Sequence, residues 1–252
     1  DSEKIIGRWL KARGNRDRVH IFTKVGSDMG QGKTDLSAKW IIEEVEASLK
    51  RLQTDYVDLY QSHWPDPTVT HEETLSAYGR LIEAGKVRFI GASNYDEALL
   101  SAALSVSEGK GLPRYQTLQN EYNLYTRGKY EGAVQELVLK EGLSLIPYYS
   151  LAAGFLTGKY RSEADLGKSP RGGGIARYLD EKGLRILAAL DTVAESTGAA
   201  HSEIALAWLN AQPGVAAPIA SATSVAQLES LARGARLALG EDHLKLLTEA
   251  GI

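Results

Sequence analysis

Short apolar runs rich in Val, Ile and Tyr alternate along this chain with longer stretches in which apolar residues recur every three or four positions. The first pattern is that of β-strands and the second that of amphipathic helices. Six strands are predicted: His20–Lys24, Tyr56–His63, Val87–Asn94, Tyr115–Tyr122, Leu143–Ser150 and Ala216–Ala222. A helical stretch follows each of them. After the first strand, Ile41, Val45, Ser48, Leu49 and Leu52 share one face, with Asp35 as the expected N-cap. The other predicted helices are Glu72–Ala84, Asp96–Ser107, Gly132–Glu141, Leu184–Ser196, Ser202–Ala211 and Val225–Leu237, with Glu3–Ala12 at the front and Glu241–Ala250 at the end.

Strict strand–helix alternation implies a parallel sheet, either a closed barrel or a doubly wound open sheet. The barrel is favoured because polar residues stand at the carboxyl ends of strands spread over the whole chain: Lys24, His63, Ser93 with Asn94, Gln119 and Ser221. An open sheet gathers such residues near one switch point. No linker and no shift in composition interrupts the pattern, so residues 1–252 read as one domain. An eight-stranded TIM barrel needs two more strands ahead of the opening helix, about 45 to 55 residues. The expectation is therefore a (β/α)8 barrel that is incomplete at its amino end. The longest stretch without helical or strand period, Ala152–Gly174, carries AAGFLTGKY and GKSPRGGG; loops of that length are usually functional or mobile.

Composition narrows the chemistry. With 29 Lys and Arg against 32 Asp and Glu, the net charge of −3 argues against a nucleic-acid groove or a polybasic membrane surface. The absence of cysteine excludes disulfide scaffolds, zinc ribbons and thiol nucleophiles. No apolar run approaches the roughly 18 residues of a bilayer span, and the charged, amphipathic opening segment is not a signal peptide. A cytoplasmic setting is the default.

Several residues carry candidate chemistry, each with a bland alternative. GQGKT, Gly30–Thr34, lies between a strand and a helix as a phosphate-binding loop does, but the motif needs glycine at position 27, where Ser27 stands. A solvated loop capped by Thr34 or Asp35 is the better reading. The five histidines form neither HExxH nor a helical i, i+4 pair, so no metal is expected. Lys24 and His63 close two successive strands. They could converge on a site where lysine lowers the pKa of a proton donor, or Lys24 could snorkel to water and His63 serve structure. Ser93, Asn94 and Gln119 suit a carboxamide such as that of nicotinamide, and equally suit helix caps. Tyr148 and Tyr149 could stack on a flat ring or fill a core. Ser221, Thr223 and Gln227 precede or open a helix, where barrels often hold phosphate.

Taken together these stretches resemble the aldo-keto reductase superfamily. The likeness runs through SEKIIGRWLK, RDRVHIFTKVG, SLKRLQTDYVDLYQSHWPD, LIEAGKVRFIGASNY, LQNEYNLYTR, LIPYYSLAAGFLTGKYR and ALAWLNAQPGVAAPIASATSVAQLE, in the family's order. The resemblance implies a (β/α)8 barrel that reduces aldehydes and ketones with NADP(H), without a metal or a Rossmann domain. Of the family's Asp, Tyr, Lys and His tetrad, Lys24 in FTKVG matches the lysine and His63 in YQSHWPD the histidine. The aspartate and tyrosine belong ahead of the SEKIIGRWLK helix, so the chain as it stands is expected to be inactive even if its parent is an enzyme. Ser93, Asn94 and Gln119 match the carboxamide-holding residues, and Tyr148 matches the aromatic that stacks on nicotinamide. Tyr149 and Ser150 stand where the family often has Ser-Pro. Leu151 and Lys159 match the loop over the pyrophosphate, with Lys168 or Arg171 able to add charge there. Ser221, Thr223 and Gln227 match the site near the adenosine phosphate. The Glu-Asn pair expected after Gln227 is Ser230-Leu231, which removes contacts that favour NADP over NAD.

The resemblance also holds for potassium-channel β-subunits, which keep the barrel and the cofactor site but act as partners. Those members commonly replace the tetrad histidine, and His63 is present, which favours an enzyme acting on a small carbonyl substrate. Sequence says nothing of which carbonyl, or of oligomeric state.

Overall fold

The computed structural model describes residues 1–168 and 172–252, and the chain forms two compact units, Asp1–Gln119 and Asn120–Ile252. In the first, helix α1 (Ser2–Arg13) precedes β1 (Phe22–Val25), α2 (Ala38–Leu52), β2 (Val57–Ser62), α3 (His71–Glu83), β3 (Val87–Ser93), α4 (Glu97–Lys110) and β4 (Thr117–Gln119). The four strands lie side by side in chain order and all pair parallel. Every residue of β2 is buried, as a strand covered on both faces must be. Behind it the α2 face is the one expected from periodicity, with Ile41, Val45, Ser48, Leu49 and Leu52 buried.

The start of α2 corrects the expected cap. Ser37, not Asp35, caps the helix, its hydroxyl accepting from the Trp40 amide at 3.4 Å. Leu36 is buried in the core, its N–H donating to Asp66 and its carbonyl accepting from Thr74. The helix therefore cannot begin until Leu36 has been passed, and Asp35 is left to accept from the Ser37 amide in a local turn.

Two features of β2 and β3 set the stability of this unit. Asp58 is 4% exposed and accepts from the Ile21 amide (2.8 Å), Arg16 (2.8 Å) and Arg88 (2.9 Å). Both guanidinium groups also lie over the Tyr56 ring, at 3.8 and 4.1 Å. Gly91 sits between Gln61 and Thr117 in register, and a Cβ there would lie 2.2 Å from Thr117 Oγ1. Gly91→Ala is expected to cost about 2 kcal/mol by overpacking, read as a lowered urea midpoint at unchanged m-value.

The second unit holds α5 (Ala133–Lys140), β5 (Ser144–Leu145), α6 (Glu181–Thr197), α7 (His201–Asn210), α8 (Val225–Gly234) and α9 (Glu241–Ala250). Trp208, Tyr122, Phe155, Tyr178, Ile186 and Leu190 are at most 1% exposed and form its core. The stretch Ala152–Gly174 that lacks a periodic pattern folds as short 3-10 turns over its described residues, and a further 3-10 turn, Ala176–Tyr178, follows it. The sixth expected strand, Ala216–Ala222, is not one. The chain runs beside β5, Leu145 donating to Gly214 and Ala216 donating to Leu145, with an isolated parallel bridge between Leu145 and Val215. Pro218 then supplies no N–H, and only Ile219 bonds onward, to Pro147. Pro147 shortens β5 for the same reason. No helix among the described residues is long and apolar enough to cross a membrane.

Candidate functional site

In the first unit the expected residues do collect at the carboxyl ends of the strands. Lys24 is in register with Gln61, and the His63 amide donates to Val25 at 2.7 Å, carrying the β1–β2 ladder one residue past β2. Lys24 is half-buried and makes no hydrogen bond or ion pair among the described residues; burial lowers its pKa by penalising the ammonium. His63 is also half-buried. Burial, and after it the positive charge of Lys24, lower the imidazole pKa, so the ring is neutral at pH 7. Its Nδ1 lies 2.6 Å from Ser27 Oγ, and its ring stacks with Trp64 at 6.0 Å between centroids.

Asn94 ties this pair to the next strands. It adopts a left-handed backbone, φ 60°, a conformation that asparagine tolerates better than most residues. From there its amide nitrogen reaches the His63 carbonyl (2.9 Å) and Ser93 Oγ (3.2 Å), while its N–H donates to the Gln119 carbonyl. Ser93 Oγ donates to the same carbonyl at 2.8 Å. The side-chain amide of Gln119, a residue only 3% exposed, has no hydrogen-bond partner among the described residues. Its amide offers both a donor and an acceptor, the pair of functions a carboxamide can match.

The second unit places Tyr148, Tyr149, Ser150, Leu151 and Lys159 along one stretch after β5. Tyr148 bridges to Glu121 and is half-buried, whereas Tyr149 is 50% exposed and tilted against it, ring centroids 5.4 Å apart. Burial raises the Tyr148 phenol pKa, so the ring is neutral. Tyr149, Ala152 and Ala153 all have positive φ (53°, 47° and 57°), a strained cluster of non-glycine residues of the kind found where a loop is held for function. Ser150 is buried and donates to Pro147. Leu151 accepts from the amides of Gly154 and Leu156, closing the turn. The Lys159 ammonium lies 5.0 Å from the centre of the Tyr160 ring, and Lys168 donates to the Lys159 carbonyl. Arg171 lies outside the described residues.

At the head of α8, Ser221 and Thr223 are exposed, and Gln227 Oε1 accepts from both the amide and the hydroxyl of Thr223. Ser224 is the N-cap, donating nothing to this pair but accepting from the Gln227 amide. Ser230 is turned to Glu203, which also holds Arg233 at 2.8 Å.

Two residues escaped the sequence reading. Ser27, noted there only as a broken phosphate-loop motif, is the partner of His63. Asn123 is fully buried; it donates to the Tyr149 carbonyl and accepts from the amides of Tyr125 and Thr126, so it fixes the strained loop. A polar residue inside the otherwise core-forming run YNLY is the signal that could have found it. The phosphate-loop reading of GQGKT fails in structure as in spacing, because the amides of Gly30 and Gly32 already donate to Asp28, at 2.8 and 2.9 Å. An anion offered to that loop would have to displace a resident carboxylate.

The model of the aldo/keto reductase family matches residues 1–252. Protein tas of Escherichia coli K12 is 34% identical over 272 aligned residues, which cover 96% of this chain and 77% of that protein. A probable voltage-gated potassium channel subunit beta of Oryza sativa is 34% identical, covering 90% of this chain and 71% of that one. The crystal structure of a thermostable aldo-keto reductase with the inhibitor epalrestat is 31% identical, with a TM-score of 0.79 over 99% of this chain and 77% of that one. With a family match along its entire length and strands that place Lys24, His63, Asn94 and Gln119 at one end of a parallel sheet, the chain belongs to the aldo/keto reductase family.

Proposed function

We propose that this chain carries the lysine–histidine pair and the nicotinamide contacts of an NADP(H)-dependent reductase of aldehydes and ketones. Family membership indicates an oxidoreductase that uses a nicotinamide cofactor and implies the (β/α)8 barrel. The observation that carries the finer reading is Lys24, half-buried with no anion beside it, adjacent to a neutral His63. A cation held in that state is suited to lowering the pKa of a nearby hydroxyl, and a neutral imidazole to donating a hydrogen bond without taking a proton.

Bound NADPH supplies the hydride. The chain's own residues do the rest: Ser93, Asn94 and Gln119 hold the carboxamide, Tyr148 packs on the ring, and Tyr149, Ser150, Leu151 and Lys159 form the loop along the pyrophosphate. Ser221, Thr223 and Gln227 receive the adenosine phosphate. His63 orients the substrate carbonyl, and Lys24 tunes the tyrosine that protonates its oxygen. That tyrosine is not among residues 1–252, so turnover is assayed on a protein that carries it and cofactor binding on the chain itself.

The test is a titration with NADPH and with NADH, followed by cofactor fluorescence. Saturable binding with NADPH the tighter of the two is expected; absence of binding to a correctly folded chain would remove the reading. Tyr148→Ala is expected to weaken NADPH binding about fivefold through the lost ring contact, with unchanged thermal unfolding. A regulatory subunit is the second reading, favoured by the likeness to the rice channel subunit. Retention of His63 speaks against it. Cofactor binding without turnover of any aldehyde or ketone, in a protein that carries the tyrosine, would favour it.

A further inference from the structure

Ser27 and the Gly30–Thr34 motif are left without a role by the reading above, and they are connected. The loop after β1 is tightly self-bonded. Gln31 donates to the carbonyls of Ser27 and Lys33, both at 2.9 Å, and accepts from the Met29 amide, while Asp28 holds the Gly30 and Gly32 amides. Gly26, Gly30 and Gly32 have φ of 95°, 114° and 75°, so the tight course of the loop depends on residues without a Cβ. What this brace presents to the site is one hydroxyl. Ser27 Oγ lies 2.6 Å from His63 Nδ1 and has no other hydrogen-bond partner among the described residues.

We infer that Ser27 is a positioning residue that donates its hydroxyl proton to His63 Nδ1 and so fixes the imidazole proton on Nε2. A neutral imidazole has one donor nitrogen and one acceptor, and the partner of one decides the role of the other. If Nδ1 carried the proton, Ser27 would accept and its own hydrogen would have no acceptor among the described residues. With Ser27 as the donor, its hydroxyl hydrogen and Nδ1 satisfy one another and Nε2–H is left as a hydrogen-bond donor. The residue is held from other directions: Asn94 donates to the His63 backbone carbonyl, Trp64 stacks on the imidazole, and the positive charge of Lys24 disfavours a second proton. The GQGKT stretch is thus a brace for one serine, with no phosphate to bind. The catalytic meaning of this tautomer rests on the carbonyl-reductase reading, because only a donor at Nε2 can orient a carbonyl oxygen.

The experiment is long-range proton–nitrogen correlation NMR of the chain with 15N-labelled histidine at pH 7.5, on the wild type and the Ser27→Ala and Ser27→Thr variants. The wild type is expected to show His63 with protonated Nε2 and an accepting Nδ1. In Ser27→Ala the His63 signals should move to a mixture of tautomers, and Ser27→Thr, which keeps the hydroxyl, should restore them. His63→Asn identifies the signals. A wild-type spectrum with the proton on Nδ1, or one left unchanged by Ser27→Ala, overturns the assignment. In a protein that carries the tyrosine, Ser27→Ala should lower kcat about fivefold, the worth of one ordinary hydrogen bond, while NADPH affinity stays constant. If the wild type turns over no carbonyl compound, the function reading fails, and the spectra still decide the role of Ser27.

Discussion

Lys24→Met is expected to lower the turnover of carbonyl reduction by about two to four orders of magnitude, the usual scale for a disabled general acid, while NADPH affinity changes little. The reason lies in where Lys24 stands. It is half-buried on β1, beside His63, and it is bound to no carboxylate among the described residues, so its charge acts on whatever hydroxyl is brought next to it. Methionine keeps the length and apolar stem of the side chain and removes the charge, so the site stays filled. Arginine should not rescue the loss: its planar guanidinium is larger and differently hydrogen-bonded, and its proton is never released. The measurement is steady-state kinetics alongside cofactor titration, in a protein that carries the family's tyrosine. Turnover equal to wild type would show that Lys24 merely reaches for water.

Asp58→Ala should cost about 3 kcal/mol of folding stability, because it leaves the Ile21 amide and two guanidinium groups without their shared acceptor. Arg16 and Arg88 are partly exposed, which places the effect at the lower end of the range for broken buried pairs. Urea denaturation at pH 7 reads it directly. The effect also has a definite pH dependence. Burial by itself would raise the Asp58 carboxyl, but the Ile21 amide and Arg16 outweigh it and hold the pKa below the ordinary carboxylate value. A carboxyl whose pKa is lower in the folded state stabilises fully above its unfolded pKa, near 3.9, and loses that contribution as pH falls through the folded value. The gap between wild type and Asp58→Ala should therefore be widest near neutrality and shrink below about pH 4. A gap that widens in acid would mean that Asp58 does not act through its charge.

The residues that sequence could place are those whose neighbours repeat. Ile41 to Leu52 announced one face of α2, and that face is the buried one. Tyr56–His63 announced β2, and Lys24 and His63 were expected at strand ends because each closes an apolar run with a polar residue. The extent of the other strands was less legible. Tyr115–Tyr122 and Leu143–Ser150 give only Thr117–Gln119 and Ser144–Leu145, since a run of β-favouring residues shows propensity but not how far a partner strand keeps pairing with it. In Ala216–Ala222 one proline was enough to break the ladder.

The site followed the same division. Residue type and spacing made Lys24, His63, Asn94, Gln119 and Tyr148 candidates, because polar and aromatic residues at strand ends are a local pattern, but each had a structural alternative and only the resemblance to a family gave it a role. Sequence could not say that Ser27 would meet His63 across 36 positions, that Asn123 would hold the Tyr149 carbonyl, or that Gln227 would turn back onto Thr223. It also expected Asp35 to cap α2, where the burial of Leu36 moved the cap to Ser37. What the sequence determined by itself was the alternation of elements, the apolar faces and the kinds of chemistry available, all of which are properties of short windows. What only the tertiary structure decided was which polar group each side chain would face. A hydrogen bond is directional and short-ranged, and its partner is chosen by packing that brings distant segments within 3 Å of one another.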